Sequence, residues 1–149
     1  MTALTSPRKI QRRGVELEPY SFDVKASSTI LQTALVVLLA GVAIAGRAGV
    51  DSTEAGTMQC VGVAYNGGAV GGAADGDVKI EVSEGTFAFK NSASGDLITK
   101  AEIGKVCYVV DDQTVAKTSN TNVRCIAGRV KQVDSDGTVW VHVGPGLAA

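Results

Sequence analysis

The apolar stretch at residues 34–45 constrains the fold of this chain more than any other segment. It reads ALVVLLAGVAIA, with Gly41 near its middle. A membrane-spanning helix needs about 20 apolar residues, whereas runs of about 10–14 are usual in protein cores. Glycine weakens the interior of a strand and suits the turn between two strands. The stretch therefore predicts two buried β-strands separated near Gly41.

A secretion signal is the alternative explanation of the same stretch. Basic residues precede it, and the Ala-Ile-Ala triplet at 43–45 imitates a signal-peptidase site. However, Glu16, Glu18 and Asp23 lie between the basic residues and the apolar stretch. A compact signal peptide would not contain these acidic residues, so we favour the two strands.

Short β-like runs separated by turn residues make up most of the remaining chain. Residues 57–63 form one such run, a glycine-rich loop follows at 66–77, and apolar and polar residues alternate over 78–83. A period of two places one face of a strand in a core and the other in water. Residues 126–133 and 138–143, joined by Asp-Ser-Asp-Gly, predict a terminal hairpin. The pattern predicts an all-β protein, as a small β-barrel or β-sandwich.

One helical signal interrupts these strands. Thr99 and Glu102 have the spacing of a capping box, and Gly104 can end the turn with a positive φ. We expect at most one short helical turn. Residues 106–110 then predict a strand, and 114–116 predict its return after an acidic turn.

The N-terminal residues differ from this pattern. Residues 1–25 have neither helical nor strand periodicity, and they contain two of the three prolines of the chain. We predict that they form an extended arm and that residues 26–149 form the β domain.

Four positive charges precede the first negative charge of the arm. They are Arg8, Lys9, Arg12 and Arg13. They could contact phosphates, membrane headgroups or an acidic protein surface. No aromatic residues are interleaved with them, so we expect no specific recognition of nucleic acid. A salt-sensitive docking role and a plain solvated tail both remain open.

The residue types that usually carry catalysis are scarce. His142 is the single histidine, and no Gly-x-Ser-x-Gly motif occurs. A nucleophilic enzyme needs a base beside its nucleophile, and that base is most often histidine. The valines at 139, 141 and 143 predict the core face of the last strand, with Trp140 and His142 on the opposite face. We expect no enzyme activity and consider Trp140 and His142 possible interface residues.

Cofactor and metal sites are not expected either. The cysteines, Cys60, Cys107 and Cys125, are odd in number and lack CxxC spacing, which favours buried free thiols over disulfides or zinc ligands. The glycine-rich loop lacks the Lys-Ser or Lys-Thr pair of a phosphate-binding loop. Three acidic pairs, at 75/77, 111/112 and 134/136, lie in predicted turns, where carboxylates usually bind their own backbone. A weak calcium site at one of them stays open.

Several motifs together suggest a protein family. Residues 101–116 contain IGKVCYVVDDQTV, and residues 127–141 contain AGRV and VDSDGTVWV. Gly-Val-Ala at 62–64 and the loop 66–77, which ends in Gly-Asp, add to them. The chain resembles the decoration (cement) proteins of tailed-bacteriophage capsids over roughly residues 25–143. Structural turns and strand residues carry this resemblance, so it specifies fold better than activity.

The resemblance implies a β-tulip-like domain that binds the outer surface of a phage capsid and stabilises the shell. Its partners would be the major capsid protein and further copies of itself, commonly in a trimer, with no specific nucleic acid and no membrane. The protein would be made in the host cytoplasm and reside on the virion capsid surface. No catalytic residue or cofactor comes with the resemblance. The alternatives are another head or tail component and a secreted β-sandwich ligand-binding module.

Two features depart from the family pattern. Residues 31–45 are more apolar than expected for its early strand pair, which suggests a buried subunit contact. The basic arm is an addition, and we expect its four charges, at positions 8, 9, 12 and 13, to contact the capsid.

Overall fold

The computed structural model describes residues 2–10 and 19–144 and, for residues 12–13, the backbone alone. Most of the regular structure is β, which confirms the all-β prediction. The strands are β1 Arg12–Arg13, β2 Tyr20–Asp23, β3 Thr29–Ile30, β4 Leu35–Leu39, β5 Val42–Ala45, β6 Met58–Val63, β7 Ala69–Val70, β8 Lys79–Val82, β9 Gly85–Phe89, β10 Val106–Val109, β11 Val115–Ala116, β12 Ile126–Val133 and β13 Val139–Val143. Helical structure consists of α1 Ser52–Ala55 and the 3₁₀ turns Ser94–Asp96 and Lys100–Glu102.

The largest sheet contains six strands in the order β1-β9-β13-β12-β10-β11, and all neighbours are antiparallel. The predicted hairpin of β12 and β13 lies at its centre and is confirmed. Phe87 and Phe89 of β9 and the three valines of β13 are buried in one hydrophobic cluster, which we call the first core. The valine face of β13 is therefore a core face, as the alternation predicted.

A three-stranded sheet, β5-β4-β6, packs against the first core. The apolar stretch forms β4 and β5, which confirms the two predicted strands. Ala40 and Gly41 link them with φ of 49° and 94°. Positive φ at both positions of a two-residue loop matches the twist of a hairpin, and the second value explains the glycine.

Both faces of β4 are buried. Leu35 and Val37 lie in the first core, whereas Val36 lies in a separate cluster, the second core, together with Val61 of β6 and Ile80 of β8. The side chains of Leu35, Val36 and Val37 all have 0% exposure. A strand covered on both faces is continuously apolar. The apolarity of residues 31–45, interpreted above as a subunit contact, is thus explained by burial within one chain.

The remaining two sheets, β2-β8 and β3-β7, cover the second core. Strand β8 confirms the alternation over residues 79–82, because Ile80 and Val82 are buried while Lys79 and Glu81 are exposed. Ser83, expected on the exposed face, is buried, because its backbone pairs with Val63 of β6. Single bridges extend the pairing from Val63 to Ser83 and from Val24 to Ala43. Strands β5, β4, β6, β8 and β2 thus connect in turn around the second core. The choice between barrel and sandwich stays a prediction.

The helical turn at 99–104 is confirmed and two others are new. Thr99 and Glu102 form both bonds of a capping box around the 3₁₀ turn, and Gly104 follows with φ of 87°. The helix α1 was not predicted, although the Asp51 side chain caps it by accepting a hydrogen bond from the Glu54 N–H. Four residues are too few to show a 3.6-residue period. Over the described residues, every helix is too short or too polar to cross a membrane.

The arm segment contains paired strands, which its sequence did not indicate. Strand β2, within the segment predicted as arm, forms a ladder with β8, and β1 pairs with β9. Residues 2–10 contact the β domain as well, because Leu4 packs against the second core and Ile10 against the first. The domain boundary at residue 25 stays a prediction.

Candidate interaction surface

Several polar contacts attach backbone groups of the arm to the β domain. The Leu4 N–H donates to Asp112 Oδ1 at 2.7 Å, and the Gln113 side chain donates to the Thr2 carbonyl. The Thr33 hydroxyl donates to the Arg8 carbonyl at 3.0 Å. The first residues of the arm therefore lie on the acidic turn between β10 and β11.

Arg8 is the most constrained of the four basic residues. Its guanidinium lies 6.0 Å from the centre of the Phe89 ring, and Nη2 donates to the Ala88 carbonyl at 3.3 Å. Its Nε is buried without a hydrogen-bond partner among the described residues. Burial lowers the pKa of Arg8, and the charges of Asp112 and Asp111 partly oppose that shift. Arg8 is thus anchored, which makes it unlike a solvated tail residue.

The other three basic residues are placed differently. Lys9 is exposed. Arg12 and Arg13 pair with Phe87 and Thr86 through the β1–β9 ladder. Their side chains lie outside the described part of the structure, so their predicted capsid contacts stay a prediction.

A groove of about 660 Å³ lies between the arm and the terminal hairpin. Arg8 and Lys9 form one border, residues 88–91 at the end of β9 form another, and the hairpin turn with Asp134 and Asp136 closes it. The groove therefore joins three segments that are far apart in sequence and contains side chains of both charges.

Trp140 and His142 are not equally available for an interface. Trp140 is 1% exposed, and its indole N–H donates to Asp134 Oδ2 at 2.9 Å. This side chain is therefore buried within its own chain, with its polar atom satisfied by the carboxylate, and it is not exposed for the interface contact that the sequence suggested. His142 is half-buried opposite Arg129, and its interface role stays a prediction.

Several of the predicted turn carboxylates bind backbone groups of their own turns. Asp77 accepts from the Ala74 N–H and Asp111 from the Gln113 N–H, whereas Asp75 accepts from the distant Ala26 N–H. Asp136 accepts from the Thr138 N–H in the hairpin turn. Among the described residues, no group of three or more His, Cys, Asp or Glu side chains is placed to hold a metal ion.

The cysteines are buried free thiols, as predicted. Burial raises the pKa of Cys107 to about 12 and that of Cys125 to about 11, and it raises the pKa of Cys60 further. A thiol is a nucleophile only as the thiolate. These side chains therefore act as core residues.

Comparison of the chain with protein-family models, with curated proteins and with solved structures gives no match. The surface described above is therefore interpreted from its own residues. Lys90, which lines the groove, was not singled out from the sequence. Its only sequence signal is its position directly after the buried end of β9.

Proposed function

We propose that the chain is a structural virion protein that binds the outer surface of a phage capsid and stabilises the shell. It acts as a small oligomer, a trimer in the arrangement common among the proteins it resembles. Its partners are the major capsid protein and other copies of itself.

One observation carries this proposal. The motif with the strongest resemblance, within residues 101–116, builds β10, the acidic turn and β11, and that turn holds the basic arm through Asp112 and Gln113. The segment that resembles the cement family and the segment that departs from it are therefore in direct contact. The arm also supplies β1, the edge strand of the six-stranded sheet, and edge strands can extend a partner's sheet.

The chemistry of the described residues supports a binding role over an enzymatic one. The buried thiols are held neutral, and the turn carboxylates of Asp111 and Asp136 accept backbone N–H groups. A capsid offers many equivalent sites, and linked contacts within an oligomer can strengthen binding by about 10²–10⁴ over a single contact. Individually weak contacts are then sufficient to hold the shell.

Co-sedimentation with purified, expanded phage heads tests the proposal. We expect the protein to sediment with heads and, without heads, to elute as a small oligomer. Unexpanded heads and an unrelated icosahedral particle serve as controls. A monomer that fails to sediment with heads would contradict the proposal, and an intact mass lacking residues up to about 45 would favour the secreted module instead.

A further inference from the structure

The groove between the arm and the terminal hairpin contains an excess of positive charge. Three cations, Arg8, Lys9 and Lys90, line it together with two carboxylates, Asp134 and Asp136. The cations come from the arm and from the end of β9, two segments about eighty residues apart in sequence. The fold therefore places three positive charges from distant parts of the sequence around one groove.

The two carboxylates already have partners within the chain. Asp134 accepts hydrogen bonds from the Trp140 indole and from the Gln132 amide, and Asp136 accepts from the Thr138 N–H. These hydrogen bonds hold both carboxylates in place within the hairpin. The acidic side of the groove is thus part of the hairpin turn.

The lysines, in contrast, are available to a ligand. Lys9 and Lys90 are exposed, and neither forms an ion pair within the described ranges 2–10 and 19–144. The Arg8 side chain extends from the arm to β9, where the Phe89 ring and the Ala88 carbonyl hold it. The groove therefore presents two exposed ammonium groups beside one anchored guanidinium.

We propose that this groove binds an acidic peptide segment of a partner protein, with its carboxylates on Lys9 and Lys90. The groove volume of about 660 Å³ is within the usual range of ligand-binding clefts. Cations supplied by separate segments suit a ligand that carries more than one carboxylate along a chain. The inference rests on the proposed function only for the identity of the partner, which would then be a capsid subunit.

Trp140 provides a reporter for this site. It is the single tryptophan of the chain, and its indole N–H is bonded to Asp134 on the groove wall. The ¹H–¹⁵N signal of the indole can be followed while the full-length protein is titrated with hexaglutamate. Hexalysine and inorganic phosphate are the comparison probes.

We expect hexaglutamate to shift the indole signal saturably at low salt and to lose this effect at about 0.5 M salt, since exposed charges are screened there. The double substitution Lys9→Gln and Lys90→Gln should weaken binding at least tenfold. Lys105→Gln is the matched control, because Lys105 is exposed and lies outside the groove. It should bind like the unmodified protein.

Three results would overturn the inference. They are equal binding by the double variant, an equal loss in Lys105→Gln, and a shift produced by phosphate but not by hexaglutamate, which would indicate a small-anion site. Head binding is measured in parallel. If the double variant binds hexaglutamate poorly but binds heads normally, the groove is not the capsid contact while the proposed function stands. If the unmodified protein binds hexaglutamate but ignores heads, the proposed function fails and the groove remains.

Discussion

Asp112 is a turn residue whose environment depends on a segment far away in sequence. It is 4% exposed, and it accepts the N–H of Leu4, which lies 108 residues earlier. Burial raises the pKa of Asp112, while the Leu4 hydrogen bond and the charge of Arg8 act in the opposite direction and Asp111 adds to the rise. The negative charge of Asp112 is thus buried beneath the arm, and the Leu4 hydrogen bond and the Arg8 charge do not fully offset the cost of removing it from water.

Replacing Asp112 by asparagine should therefore increase stability near pH 7. The folded state holds its proton more tightly than the unfolded state, so the penalty for the charge is absent below the ordinary pKa of 3.8 and grows as the pH rises through the raised pKa. The amide side chain of the variant would keep an oxygen for the Leu4 N–H without that charge. Thermal unfolding of both proteins between pH 3 and pH 8 measures this.

The control for that comparison is Asp75→Asn, since Asp75 also accepts a backbone N–H but is exposed. It should shift the unfolding temperature little at any pH. A stability difference between Asp112→Asn and the unmodified protein that is equal at pH 3 and pH 7 would contradict the explanation.

Sequence reasoning correctly predicted what Asp111 and Asp136 do locally, because a turn carboxylate binds neighbouring backbone groups. It could not predict that Leu4 lies on Asp112 or that Lys90 lines the same groove as Lys9. Those contacts depend on the path of the arm across the sheets, and no local pattern encodes that path. Trp140 was misjudged for a related reason, because alternation predicts a second face of the strand but not what covers it.

Strand β4 is the element on which the packing of the molecule most depends. Its side chains alternate between the two cores, so a smaller side chain in β4 would leave a cavity in one of them. The sequence correctly predicted two strands from this apolar stretch. It did not show that the second face is covered by β2 and β8, because a continuous apolar run is equally consistent with burial against another subunit.

Leu35→Ala should consequently lower the free energy of unfolding by about 2–5 kcal/mol, the usual cost of such a cavity in a core. Leu35 has 0% exposure and lies in the first core. Urea unfolding followed by tryptophan fluorescence gives the value. Leu97→Ala is the matched control, because Leu97 is 42% exposed, and it should cost less than about 1 kcal/mol. Comparable losses in both variants would argue against the core assignment.

At the scale of the whole molecule, the arm is part of the folded structure and also contributes to its candidate binding surface. Leu4 and Ile10 pack against different cores, and β1 pairs with the edge of β9. Composition alone predicted an extended arm. It did not predict this attachment, because scattered apolar residues such as Leu4 and Ile10 have no period that would reveal a buried face.

Deleting residues 1–19 should therefore weaken the protein without unfolding it. We expect a loss of about 1–3 kcal/mol in the free energy of unfolding, from two partly buried side chains and a short ladder. Circular dichroism should show that the β-rich fold is retained, and calorimetry should show a lower unfolding temperature. Ile10→Ser should reproduce part of the loss and Lys9→Gln none. An unchanged unfolding temperature after the deletion would show that the arm contacts are dispensable for stability.

The position of β4 between the two cores has a consequence for how the molecule comes apart. Unfolding around the second core would expose one face of β4 and loosen the sheet against which the first core packs. Unfolding around the first core would have the same effect on the second core. We therefore expect the two cores to unfold together in one cooperative transition, without a partly unfolded state in which only one core remains.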